Sequence, residues 1–132
     1  MRLDLLADFL ELRGIGTPGI DIFEDQMPAD CRTGVLLKLP LQGIDIDHEL
    51  PGYFRGKVQA IVRAQKAEDG DRLAKRVMDA LTLYRHGLVD KEGREVLFIN
   101  HMRPKTLPII YPRSEGNGKE WSINMDASYV LR

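Results

Sequence analysis

The stretch that decides the fold is "PRSEGNGKEWSINMDASYVLR", residues 112–132. A charged, glycine-bearing tip runs into a segment in which Trp121, Ile123, Met125, Ala127, Tyr129 and Leu131 share one face. Ser122, Asn124, Asp126, Ser128 and Arg132 share the other, with Val130 the one apolar exception. Successive strand side chains point to opposite sides, so this alternation marks a strand with one buried face and one polar face. What lies against the polar face is the question the rest of the chain has to answer.

Upstream, "RPKTLPIIYPR" (103–113) carries Pro104, Pro108 and Pro112, which exclude a helix and confine the segment to a sheet edge or a bent connection. "VLFINHM" (96–102) reads as a strand. "AEDGDRLAKRVMDALTLYRHG" (67–87) reads as a helix: Asp69 or Asp71 can cap it, Leu73, Val77 and Leu81 with Ala74 and Met78 recur at helical spacing, and Gly87 closes it. In "GKVQAIVRAQ" (56–65), Val58, Ala60, Val62 and Ala64 alternate with Lys57, Gln59, Ile61 and Arg63, a second half-buried strand. "QGIDIDHELPGYFRG" (42–56) is expected to be a long loop, "GVLLKLPL" (34–41) a strand ending at Pro40, and "IDIFED" (20–25) a short strand. The N-terminal segment reads as a helix with Leu3, Leu6 and Leu10 on one stripe, Leu5, Phe9 and Leu12 beside it, and Asp4, Asp8 and Glu11 toward water. It stops at "RGIGTPG", where Gly14 can turn left-handed and Pro18 blocks continuation. The expected fold is an α+β single domain over 1–132, a mainly antiparallel sheet of four to six strands with two helices packed on one face.

Composition narrows function. The 132 residues carry 19 Lys and Arg against 20 Asp and Glu, a net charge of −1, which provides no basic field for gripping phosphates. A single cysteine, Cys31, excludes an internal disulfide framework and suits a reducing compartment. The first residues mix acids into the apolar pattern, unlike a signal peptide, and no segment approaches the ~20 apolar residues of a membrane span.

Chemistry-bearing clusters are few. Asp45, Asp47, His48 and Glu49 bring oxygen and imidazole ligands close together, the basis for reading the chain as a small metal-dependent hydrolase or nuclease, but the spacing departs from a calcium loop. Cys31 with His48, His86 or His101 lacks any local nucleophile signature. "RGIGTPG" has neither the lysine nor the hydroxyl of a phosphate loop. Arg103, Lys105 and Arg113 around Tyr111 form too small a basic group for a nucleic-acid footprint. No catalytic set, cofactor or metal is assigned. Two helices can cover one sheet face; the other, polar, face is expected to meet water or another subunit.

The order of these elements, with the strand-helix unit "GKVQAIVRAQKAEDGDRLAKRVMDAL" and the closing "RPKTLPIIYPRSEGNGKEWSINMDASYVLR", resembles the tail terminator proteins of long-tailed bacteriophages and, more broadly, minor tail and tail-completion proteins. The resemblance implies a non-enzymatic virion protein assembled in the host cytoplasm. It implies a homohexameric ring that binds the last layer of the major tail tube protein, stops polymerisation, and presents its far surface to head-completion and neck proteins. DNA is then expected to pass through the ring without specific binding, and no membrane is involved. Another neck position, joining or stopper protein, fits the same order of elements. On this reading Lys57, Gln59, Arg63, Asn124, Asp126 and Ser128 are the expected subunit contact, and Asp45, Asp47 and Glu49 reach a neighbour, the tube or the lumen.

Overall fold

The computed structural model describes residues 1–40, 43–112 and 118–132. Leu41, at the end of the expected 34–41 strand, and Arg113 with the glycine tip lie outside the described residues. The elements are α1 (Leu3–Leu12), β1 (Ile22–Glu24), β2 (Gly34–Lys38), β3 (Asp45–Ile46), β4 (Tyr53–Ala64), α2 (Ala67–Leu81), β5 (Leu83–Val89), β6 (Glu95–Pro104), β7 (Ile109–Pro112) and β8 (Lys119–Leu131).

At the centre, β4 and β8 pair antiparallel along their whole length, from Tyr53 opposite Val130 to Ala64 opposite Lys119. Because both strands alternate, the register stacks like on like. Val58 faces Met125, Ala60 faces Ile123 and Val62 faces Trp121 on the inner side, while Lys57 faces Asp126, Gln59 faces Asn124 and Arg63 faces Glu120 on the outer side. The sheet order is β1-β2-β4-β8-β6-β5, with β3 added beside β4 and β7 beside β8.

Both helices bury their apolar stripes with the inner face in one core, which gathers Leu6, Leu10, Val77, Leu81, Val62, Ile99, Trp121 and Ile123. Each fully buried side chain of this size contributes roughly 1.5–3 kcal/mol. α2 lies on β8, β4 and β6; α1 touches β1 and β5, the two ends of the strand order, so the sheet curls around the helices. Gly70 of α2 sits where any Cβ would overlap the Trp121 indole, and that indole donates its N–H to Asp71 at 2.8 Å. The close helix-sheet approach therefore depends on a glycine inside a helix. α1 ends as expected: Arg13 N–H donates to Phe9 and Leu10 carbonyls, Gly14 takes φ +75°, and Ile15 N–H reaches back to Leu10.

Three expectations change and a fourth is narrowed. The sheet has eight strands and is mixed, because β1 pairs parallel with β2. The loop expected at 42–56 contains β3 and the start of β4, which begins at Tyr53. The helix expected to run to Gly87 ends at Leu81, and 83–89 instead pairs with β6, from Leu83 opposite Met102 to Val89 opposite Glu95. The proline-rich piece supplies an edge strand, β7, as its prolines require, with Pro112 opposite Lys119. No helix among the described residues is long and apolar enough to cross a membrane.

Candidate subunit interface on the outer sheet face

The polar face is partly covered by the chain itself. At one end Arg63, 9% exposed, donates to Glu120 at 2.9 Å and to the carbonyls of Pro28 at 2.8 Å and Cys31 at 3.1 Å. This clamps the connection between β1 and β2 over the face. Tyr111, beside the same pair, has its phenol pushed up by burial and then by Glu120, with Arg63 pulling the other way. At the other end the cover comes from β4 itself. Tyr53 accepts a 2.6 Å hydrogen bond from the Ser128 hydroxyl, which is 1% exposed.

Between these covers the face opens as a trough. One part, 490 Å³, is lined by Gly43, Asp45, Arg55, Lys57, His101, Arg103 and Asp126 among others. A second, 250 Å³, continues past Lys57 and Asp126 to Lys105, Asn124 and Ile109. Lys38 stands opposite Gln59 on the same side. Cross-strand register places Lys57 and Arg103 on either side of Asp126, and Asp45 opposite Arg55. None of Lys38, Arg55, Lys57, Arg103, Lys105, Asp45 or Asp126 closes an ion pair among the described residues. Four cations, Arg55, Lys57, Arg103 and Lys105, therefore line the trough against two carboxylates. His101 adds a buried Nδ1 without a hydrogen-bond partner among the described residues. By contrast Gln59 donates to Ser122 at 2.8 Å, and Asn124 reaches the same hydroxyl at 3.4 Å.

The residues expected to form a contact thus divide. Lys57, Gln59, Asn124 and Asp126 lie together, half-buried, along the trough. Arg63 and Ser128 are on the same face, but both are buried and bonded within the chain, so neither offers a free group to a neighbour. Of the acidic loop, Asp45 lines the trough, whereas Asp47 caps the turn before β4 by accepting from the Glu49 N–H at 3.0 Å. Glu49 is exposed in that turn.

Arg55 and Lys38 escaped the sequence reading because one fell in an assumed loop and the other in an apolar run. His101 and Arg103 reach the outer face through a bulge between Ile99 and His101. The apolar spacing Leu97, Ile99, Met102 carries its signature, a step of three where alternation demands two.

Among the described residues no three His, Cys, Asp or Glu side chains converge to hold a metal, so Asp45, Asp47, His48 and Glu49 do not act as one ligand set. Cys31 donates to the Thr33 carbonyl at 3.3 Å, and His86 packs edge-on against Phe9 with ring centroids 5.0 Å apart.

No curated protein matches this chain. One solved structure aligns with all of it and with 96% of its own length, at 14% identity and a TM-score of 0.46, too shallow a likeness to bear on function. Residues 9–131 match the family described as bacteriophage tail terminator protein. A match that runs from the middle of α1 to the end of β8 takes in the curled sheet, α2 and the whole trough, and the chain belongs to the bacteriophage tail terminator family, structural components of the virion tail.

Proposed function

We propose that copies of the chain form a closed ring that caps the phage tail tube, stops its polymerisation and joins the tail to the head-completion proteins. The observation that carries this reading is the outer trough: a concave strip of charges that close no ion pair among the described residues, on a chain of the terminator family. A closed ring needs one subunit surface to meet a different surface of the next, and a polar, water-stable face lets subunits stay dispersed until they assemble. Six copies is the number the family resemblance implies. The net charge of −1 suits a conduit through which DNA slides without being held. The major tail tube protein and the neck proteins are the partners of the two ring faces.

The test is electron microscopy of tail-tube subunits polymerising with and without this protein. Rings seated on one tube end, with elongation halted there, support the reading. Tubes that lengthen at an unchanged rate and carry no density at either end remove it.

A further inference from the structure

The outer trough faces away from the helices, and the helix side carries a surface of opposite sign. Asp4 and Asp8 project from α1, with Glu24 at the end of β1 and Asp25 immediately after it at φ +63°. The Glu24 carboxyl is pushed up by burial and then by the charges of Asp4, Asp25 and Asp8, which places all four carboxylates within electrostatic reach of one another. Asp4 is paired with Arg2 at 2.8 Å, whereas Asp8, Glu24 and Asp25 have no ion pair among the described residues. The acidic corner therefore carries an excess of carboxylates over its neighbouring cations, Arg2 and Lys91, while the trough on the far side of the sheet has cations outside any ion pair among the described residues in Lys57 and Arg103.

Resting on the ring reading above, we propose that the acidic corner of one copy, Asp8, Glu24 and Asp25, seats in the Lys57–Arg103 trough of the next copy. A two-fold contact of trough on trough would set cations against cations. A head-to-tail contact of corner on trough pairs opposite charges, and because the two patches lie on opposite sides of the sheet it can repeat from copy to copy and close. Both patches belong to the same chain, so the occupant is a second copy.

Sedimentation velocity of three variants tests the pairing, with circular dichroism to confirm that each is folded. The corner variant is Asp8→Lys with Glu24→Lys; the trough variant is Lys57→Glu with Arg103→Glu; Lys57→Gln with Arg103→Gln is the milder trough change. Each alone should associate roughly tenfold more weakly than the unaltered protein. An equimolar mixture of the corner and trough variants should recover assembly, because both of their mutual contacts again join opposite charges. Undiminished assembly of the separate variants overturns the pairing and leaves the ring reading standing. Loss without recovery in the mixture overturns it too, as does a trough variant that self-associates normally but no longer binds tail tubes, which would make the tube the occupant. An unaltered protein that stays monomeric at millimolar concentration and on tail tubes overturns the ring reading and this contact together.

Discussion

Gly70 and Arg63 show how much of this fold hangs on single side chains. Alanine normally stabilises an exposed helix interior relative to glycine, but at position 70 its Cβ would displace Trp121. Gly70→Ala should lower stability by about 1–3 kcal/mol in urea unfolding, the cost of overpacking. Arg63→Met leaves Glu120 and two carbonyls without their donor, so it should cost about 3 kcal/mol and make Cys31 react faster with a thiol reagent as its segment lifts. Neither role was legible in the sequence: Gly70 looks like an ordinary N-terminal helix residue, and Arg63 like a solvent-facing strand cation. The partners of both lie about thirty or more residues away, beyond the reach of local pattern. Glu24 offers a pH test. Its raised pKa means the folded chain holds this proton more tightly than the unfolded chain, so its stability contribution declines as pH rises from the unfolded pKa through the folded one. Glu24→Gln should therefore raise the Tm of dilute protein at neutral pH and leave it nearly unchanged in acid, below both pKa values.

Element by element, regular periodicity was readable and its interruptions were not. β8, β4 beyond Gly56, α1 and the first four turns of α2 follow from alternation or helical spacing. The end of α2 was hidden because Leu83 continues an apolar pattern that serves a strand equally well; only the pairing of β5 with β6 decides it. β1 and β2 pair parallel, a relation that depends on the chain's path between them and leaves no mark in either segment. The early start of β4 can be checked through Tyr53, whose hydroxyl accepts from buried Ser128. Tyr53→Phe should cost about 1 kcal/mol, since Ser128 loses its partner in the interior. No loss of stability would mean that 53–56 is not held to β8.

For the whole molecule, the division into an apolar inner face and a polar outer one was visible from the two central strands alone. What the sequence could not convey is that the chain covers both ends of that face itself, through Arg63 and through Tyr53, and among the described residues leaves a cation-rich trough open between them. The acidic corner is equally a product of folding, since α1 and β1 are separated by the "RGIGTPG" turn and come together only on the curled sheet. A ring built from corner and trough should come apart as salt is raised, because exposed charges more than about 8–10 Å apart are screened at physiological ionic strength and closer ones weaken as well. The most direct measurement is native mass spectrometry of the concentrated protein at low ionic strength. The account predicts one closed assembly, six times the 15.0 kDa chain, with little intermediate material. A dimer that grows no further, or an open ladder of every size, would contradict it.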